Sequence, residues 1–188
     1  MKIKLVLPLP PSVNEYLGYR VVYVNGRAIS QPFETKVAKE YKTYIKNLVY
    51  RELKKQSWEC LDKEHYINVD LVYYLNKKRK DSHNLEKVLF DALMDAGLYP
   101  DDDILLPKTK NIYIDKYNPR VELELTISDK RGIFDNPEHL KMFKAINCDK
   151  CKRSTYKRQC SIIQKALDNR IEPEININRN ICYEKKAM

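Results

Sequence analysis

Alternating apolar and polar positions along the chain predict four strands of one sheet. Residues 2–7 (KIKLVL) place aliphatic residues between charged ones, and residues 121–127 (VELELTI) alternate strictly. Such alternation is typical of strands with one buried face. The stretches 66–75 (YINVDLVYYL) and 110–116 are rich in β-branched and aromatic residues and predict two more strands.

A hairpin and a loop are predicted between the first strand and the first helix. The sequence from Arg20 to Ser30 carries Val-Val-Tyr-Val followed by Asn25-Gly26. Asn-Gly between apolar runs is the strongest short-range signal for a hairpin turn. The preceding segment, 8–20, contains three prolines and a glycine, which predicts an ordered loop.

Helical spacing predicts two helices, one over residues 33–56 and one from about Ser82 to Ala96, ended by Gly97. The apolar side of the first helix consists of Val37, Tyr41, Tyr44, Ile45, Leu48 and Val49. At about 100° per residue the second helix collects its apolar residues within about 140°. These are Leu85, Val88, Leu89, Ala92, Leu93 and Ala96, and the opposite side carries His83, Asn84, Lys87 and Asp91. Asp81 stands at the predicted N-cap.

The order of these elements (strand, hairpin, helix, strand, helix, strand, strand) predicts an α/β fold with a single mixed sheet flanked by helices. The 188 residues are enough for one ordinary domain with a small appendage. We expect this domain at 1–130, a linker and helix at 131–147, and a small cysteine-containing module at 148–188.

Lysine and arginine outnumber aspartate and glutamate by 35 to 26, a net charge of +9 that favours polyanionic partners, although solubility alone would also account for it. Residues 1–130 carry 22 basic and 19 acidic side chains, whereas residues 148–188 carry 10 and 5. No stretch approaches the ~18 apolar residues of a membrane span, and the first apolar run is too short for a signal peptide. We therefore expect a cytoplasmic protein, located at the nucleoid if it binds DNA.

Carboxylates on both sides of the second helix suggest a hydrolytic metal site. Magnesium prefers a few carboxylates plus water, and Asp81, Asp101 and Asp102 could supply them if the chain doubles back. Lys87 could neutralise charge on a phosphate or leaving oxygen. The run Lys77-Lys78-Arg79-Lys80 could guide a nucleic-acid backbone. The alternatives are a plain helix cap at Asp81, a solvated acidic turn and a solvated basic face.

The stretch 81–102, DSHNLEKVLFDALMDAGLYPDD, together with the N-terminal LPLPPSVN at 7–14, resembles the RusA-type Holliday junction resolvases. The resemblance covers about residues 1–130. It implies a small α/β homodimer that makes magnesium-dependent paired nicks across a four-way DNA junction in recombination and repair, often of phage or prophage origin.

Carried over by motif position, the resemblance implies that Asp81, Asp101 and Asp102 hold the metal and that Lys87 is the catalytic lysine. Asn84 and Asp91 match further motif positions, and Lys80 falls where the family places a basic residue next to phosphate. The full set of expected DNA contacts is Asn14, Arg20, Lys77, Lys78, Arg79, Lys80, Asn84, Lys152 and Arg153. Of the tyrosines, Tyr16 and Tyr19 are candidates for DNA contact.

His83 departs from the family pattern, because it occupies the second acidic position. Imidazole suits manganese or zinc better than magnesium. His83 could ligate a metal, act as a general base on water, be an ordinary surface residue, or mark a crippled site. Asp103 extends the acidic pair and leaves its register open by one residue.

Four of the five cysteines cluster late, as Cys148-x2-Cys151-x8-Cys160-x21-Cys182. Without a secretory signal such clusters more often bind metal than form disulfides. Structural zinc, an iron–sulfur cluster and unligated thiols all remain open. The surrounding basic residues suggest a zinc-stiffened contact to the DNA backbone: Lys150, Lys152, Arg153, Lys157 and Arg158.

The sequence thus predicts a metal-dependent, structure-specific endodeoxyribonuclease acting on four-way junctions. Two alternatives stay open. One is a catalytically impaired protein of the same fold that binds branched DNA, and the other is a nuclease for other branched DNA such as flaps.

Overall fold

The structure, a computed structural model, describes residues 1–59, 65–78, 82–155 and 160–186. These residues form two compact units, one within 1–63 and 67–127 and the other within 64–66 and 128–188. The elements in chain order are β1 (Lys2–Pro8), α1 (Val13–Tyr16), β2 (Leu17–Val24), β3 (Arg27–Glu34), α2 (Lys36–Lys55), β4 (Ile67–Leu75), α3 (His83–Asp95), β5 (Leu105–Ile114), β6 (Arg120–Ile127), α4 (Pro137–Asn147), α5 (Lys152–Thr155), α6 (Ser161–Leu167), β7 (Ile175–Asn176) and β8 (Ile181–Cys182).

A four-stranded mixed sheet in the order β1-β6-β4-β5 organises the first unit. β6 pairs antiparallel with both β1 and β4, whereas β4 and β5 run parallel. Along β1, β4 and β6 every second side chain is buried, which leaves one apolar face. This confirms the predicted mixed α/β class and the alternation that predicted it. The prediction of a single sheet is wrong, because the hairpin strands β2 and β3 form a two-stranded sheet of their own.

The opposite face of the sheet is polar. Glu124 on β6 pairs with Lys2 and Lys4 on β1, at 2.6 and 3.1 Å. Arg120 bonds Glu122 at 2.8 Å and stacks over the Tyr74 ring, 3.5 Å from its centroid. The sheet therefore has a single apolar side on which helices can pack.

The predicted hairpin is confirmed and is longer than expected. β2 and β3 pair antiparallel over eight residues each, and both turn residues, Asn25 and Gly26, have positive φ (51° and 77°). That backbone conformation is the one a tight hairpin turn requires. The loop predicted for 8–20 is wrong in its second half, because Ser12 and Glu15 form a capping box that starts α1 and β2 begins directly afterwards.

Helix α2 is confirmed, with a correction to its buried face. Ala38, Tyr41, Ile45 and Val49 are buried. Val37 and Tyr44, which the helical pattern placed on the same side, are exposed. The buried face of α2 is therefore narrower than the apolar face that the helical pattern predicted.

Strand β5 begins five residues before the predicted start, at Leu105 instead of residue 110. Pro107 lowers the strand propensity of this stretch, but β5 is an edge strand, where a missing N–H can be tolerated. The register against β4 shifts between Leu71 and Val72. The shift leaves Lys110 unpaired in the ladder, and its ammonium group lies 3.2 Å from the Asp70 carboxylate.

The second unit has its own small core of Phe134, Phe143, Ile163 and Ala166. Phe134, from the stretch predicted as linker, is fully buried here. Gly132 adopts φ +57°, and a Cβ at that position would collide with the backbone of Ala166 and Leu167. The chain can therefore pass this close to the end of α6 only with glycine.

None of the helices in the described ranges is both long and apolar enough to cross a membrane.

Replacing Gly97 by alanine tests how α3 ends. Gly97 has φ +78°, and nothing lies within 4 Å of the place that a Cβ would occupy, so the cost of alanine is conformational and involves no clash. We expect Gly97→Ala to lower the free energy of unfolding by about 1–2 kcal/mol, measured by denaturant unfolding. Gly97→Asn should recover part of the loss, because asparagine tolerates this conformation. If Gly97→Ala is as stable as the unmodified protein, α3 does not need a glycine in this conformation at its end.

Candidate active site

Helix α3 supplies the central side chains of the site, and its buried face fixes their direction. That face consists of Leu85, Val88, Leu89, Ala92 and Leu93, as predicted, and Phe90 and Asp91 are also buried. The N-cap is Ser82, one residue later than predicted. Asp81 itself lies outside the described residues, as do Arg79 and Lys80.

The polar face of α3 agrees with the prediction at three positions and differs at the fourth. His83, Asn84 and Lys87 are exposed. Asp91, expected beside them, is only 7% exposed. Its Oδ2 lies 3.7 Å from the Lys87 ammonium group one turn earlier. Asp91 therefore lies beneath the lysine that the motif identifies as catalytic.

Asp91 is held from below by Tyr16, the last residue of α1. The Tyr16 hydroxyl lies 2.9 Å from Asp91 Oδ2 and 2.8 Å from Glu34 Oε1. A hydroxyl has one proton to donate. Both carboxylates lie within hydrogen-bonding distance of that one proton, and Glu34 Oε1 also accepts from the Lys42 ammonium group at 2.6 Å. Burial of the phenol, with Glu34 and Asp91 as neighbours, raises the pKa of Tyr16, which therefore stays a donor.

Lys42 on α2 completes this cluster, which we call the Tyr16–Asp91 network (Tyr16, Glu34, Lys42, Asp91 and Asp95). Its ammonium group also lies 2.7 Å from Asp95 Oδ2. Burial opposes the charge of Lys42, but Asp95 and Glu34 outweigh it and the pKa of Lys42 is raised. The same ammonium group, followed by the Tyr16 hydroxyl, lowers the pKa of Glu34.

Sequence patterns did not predict this network. Tyr16 stands in a stretch predicted as loop and as a DNA contact, yet it is buried. Lys42 and Glu34 lie on elements predicted for packing alone. The one usable signal was the placement of Asp91 on the polar side of α3 within a motif, which marked the residue without revealing its partners.

The acidic turn is brought close to α3 by buried aromatic anchors. The Trp58 indole donates to the Leu98 carbonyl at 2.9 Å, and the Tyr99 hydroxyl donates to the Phe90 carbonyl at 2.9 Å. Burial raises the pKa of Tyr99, and the charges of Asp102 and Asp91 add to this effect. Both carboxylates therefore act electrostatically on the same phenol.

Within the turn the three aspartates differ in exposure. Asp101 is half-buried in extended backbone, and Asp102 and Asp103 are exposed in a short 3-10 turn that leads into β5. The exposed carboxylates are accessible to a solvated ligand.

His83 lies at the start of α3, with its side chain 80% exposed and Nδ1 3.4 Å from Glu86 Oε1. Glu86 Oε1 also lies 3.5 Å from the Thr109 hydroxyl on β5. Glu86 was not among the predicted site residues, although it adjoins Lys87 in the motif. The histidine is thus oriented by a carboxylate on its own helix, an arrangement that suits a base as well as a surface residue.

The residues expected to contact DNA fall into different groups. Asn14, Lys77 and Lys78 are exposed in the first unit. Arg20 is exposed on β2, where its guanidinium group bonds the Gln31 amide at 3.0 and 3.1 Å. In the second unit Lys152 is exposed, but Arg153 pairs with Glu184 at 2.7 Å.

The four late cysteines lie in the second unit and take part in no disulfide. Cys148, Cys160 and Cys182 pack against its core, and Cys160 is the N-cap of α6. The backbone N–H of Cys182 donates to the side-chain Oδ1 of buried Asn147 at 3.1 Å. Asn147 directly precedes Cys148 in the chain. Cys151 Sγ accepts from the Lys186 N–H at 3.5 Å.

The thiols also influence one another electrostatically. Burial, with Cys160 and Cys182 as neighbours, raises the pKa of the Cys148 thiol to about 11. In Cys151 burial is outweighed by backbone N–H groups of Lys186, Arg153 and Ser154, and the pKa is lowered. Across the described parts of the chain, however, no three His, Cys, Asp or Glu side chains are arranged so that they could hold a metal ion.

Comparison with protein families gives one match. The family is described as endodeoxyribonuclease RusA, and its model matches residues 8–126, more than half of the chain. The matched range spans the hairpin, α3, the acidic turn and nearly all of β6. No curated protein matches the chain.

Acid titration tests the role of Glu34. Because its pKa is lowered in the folded protein, the stability it contributes is present above its ordinary value of 4.5 and is lost as the pH falls through the lowered one. We expect Glu34→Gln to be less stable than the unmodified protein at pH 7 and to lose less stability on acidification below 4.5. Glu40→Gln is the matched control, because Glu40 is exposed and pairs only at 3.7 Å with Lys36. If the stability of Glu34→Gln and that of the unmodified protein fall equally with pH below 4.5, Glu34 does not contribute stability through a lowered pKa.

Proposed function

The chain belongs to the RusA endodeoxyribonuclease family, and from this membership we propose that it resolves Holliday junctions by paired symmetric nicks. The observation that carries the proposal is the position of Lys87. It is exposed above the buried Asp91, on the same unit as the acidic turn. A nuclease needs carboxylates for a metal and a cation for the phosphate near one another.

We assign magnesium to Asp81, Asp101 and Asp102. The donor chemistry fits, because carboxylate oxygens with room for water are what magnesium prefers, and Asp102 is exposed beside α3. When bound, magnesium supplies a Lewis acid and lowers the pKa of water. His83 as a further ligand would favour manganese.

The chain's own residues would then neutralise charge, position the lysine and contact the DNA. Lys87 would neutralise charge on the phosphate or leaving oxygen, and Asp91 would hold its ammonium group in place. Lys77, Lys78, Arg79 and Lys80 would contact the DNA backbone with Asn14 and Asn84. Two symmetric nicks require two symmetric sites, so we propose a homodimer. Such a protein would act at the nucleoid.

One observation favours a second candidate, a branched-DNA-binding protein without cleavage. His83 replaces the family's second carboxylate and is largely exposed. Loss of that ligand would weaken metal binding while leaving the basic surface intact.

A nicking assay separates these candidates. On a synthetic mobile four-way junction with magnesium or manganese we expect paired symmetric nicks and no cleavage of linear duplex. Asp102→Asn should lower the rate by about a hundredfold or more, equivalent to roughly 3 kcal/mol of transition-state stabilisation, while junction binding is retained.

Asp103→Asn is the control, because Asp103 is equally exposed but lies outside the matched acidic pair. Loss of activity in both Asp102→Asn and Asp103→Asn, with Asp101→Asn still active, would shift the pair by one residue to Asp102 and Asp103. Binding without cleavage under either ion would support the second candidate, and faster cleavage of flaps than of junctions would change the substrate.

For the second unit we propose structural zinc held by Cys148, Cys151, Cys160 and Cys182. In the described structure these thiols do not form a metal-holding group, so zinc would have to draw them together. Support comes from the donor set and its setting. Three of the thiols pack against one small core, and backbone N–H groups point at the fourth, Cys151, as metal thiolates require. A core as small as the cluster of Phe134, Phe143, Ile163 and Ala166 also gains from such a cross-link. Lys152 would then present charge to the DNA backbone.

Metal analysis of the purified protein tests this proposal. We expect one zinc per chain, lost in Cys151→Ser and Cys182→Ser together with thermal stability of the second unit. Cys60→Ser, which removes a thiol outside the cluster, should retain the metal. A brown protein containing iron would replace zinc with an iron–sulfur cluster, and a metal-free protein of unchanged stability would leave the thiols unligated.

A further inference from the structure

The hairpin formed by β2 and β3 exposes apolar side chains that its own unit does not cover. Tyr19, Val21 and Tyr23 on β2 are 70%, 64% and 76% exposed. Successive residues of a strand point to opposite faces, so these three side chains share one face. An isolated two-stranded ribbon is marginal in water, and a face this apolar favours a partner.

The composition of this face suits aromatic stacking. The cross-strand neighbours of Tyr19, Val21 and Tyr23 are Pro32, Ser30 and Ala28. All three neighbours are compact, so no long side chain lies across the tyrosine rings. Two tyrosines at i and i+4 stand about 13 Å apart along the strand and offer flat, accessible ring faces. Base stacking on aromatic rings needs such faces and tolerates any base sequence.

The charge of the hairpin favours a polyanion over a protein surface. Between Leu17 and Phe33 there are two arginines, Arg20 and Arg27, and no aspartate or glutamate. The acid at the base of the hairpin, Glu34, is already paired with Lys42. Nothing on the hairpin between those limits would repel phosphate.

The base of the hairpin is fixed to the candidate active site. The Thr35 N–H donates to the Tyr16 carbonyl at 3.0 Å, and the Thr35 hydroxyl donates to the Glu15 carbonyl. Tyr16 in turn bonds Asp91 on α3. The ring of Phe33 lies directly over Gly18, where a side chain would collide with it. A ligand on the hairpin is therefore held at a defined place relative to Lys87.

We propose that the Tyr19–Tyr23 face of the hairpin binds unstacked bases of branched DNA. Bases at a strand exchange point can leave their stack, whereas those of linear duplex are stacked throughout. The inference rests on the proposed function, since it assumes a DNA junction as substrate. It adds a surface that selects branched DNA over duplex.

Binding measurements on the non-cleaving Asp102→Asn protein test the proposal. Fluorescence anisotropy at one fixed salt concentration compares a four-way junction with linear duplex. We expect each of Tyr19→Ala and Tyr23→Ala to weaken junction binding by about tenfold, equivalent to about 1.4 kcal/mol per stacked base, with a smaller effect on duplex. Tyr23→Phe should bind like the parent, because the ring is kept.

Tyr117→Ala is the matched control, since Tyr117 is 93% exposed and lies between β5 and β6. Unchanged junction affinity in the double variant Tyr19→Ala/Tyr23→Ala would overturn the inference. A change in oligomeric state, measured by sedimentation, would overturn it in favour of an interface between two copies. Failure of the proposed function would appear separately, as absence of nicking by the unmodified protein.

Discussion

One buried hydroxyl bonds α3, the helix that carries Lys87, to the elements around it. Tyr16 links α1 and the hairpin base to Asp91 on α3, and Glu34 and Lys42 connect the same point to β3 and α2. Breaking a satisfied buried polar network leaves desolvated charge behind, so each member depends on the others. Lys87 lies one turn from Asp91 on the same helix, so its position depends on this network.

Much of the fold could be predicted from the sequence because local patterns and tertiary structure agree there. Strict alternation identified β6, Asn25-Gly26 identified the hairpin, and Gly97 marked the end of α3. The failures share a cause. α1 is a single turn made by the Ser12–Glu15 capping box, and the early start of β5 depends on parallel pairing with β4. Both features follow from contacts that a short sequence window does not contain.

The site was predictable only as far as its motifs extend. The polar face of α3 and the acidic turn followed from spacing and from resemblance, and the roles given to their residues stay predictions. The burial of Asp91 and Tyr16 could not be predicted from the sequence. A helical pattern predicts the side of the helix on which a residue lies, but not whether other elements cover that side. Glu34 and Lys42 come from distant elements, and only the folded chain shows that they meet.

The order of strands in the sheet determines when the fold can close during synthesis. β1 is synthesised well before β6, yet β6, at residues 120–127, is its only partner strand in the described sheet. At about 5–20 residues per second, β1 waits roughly 6–24 s for that partner while its apolar edge is unpaired. A ribosome that has translated α3 but not yet β6 therefore holds much of the motif without the strand that closes the sheet. Nuclease activity should consequently be absent from nascent chains until the whole of β6 has been translated and has left the ribosome.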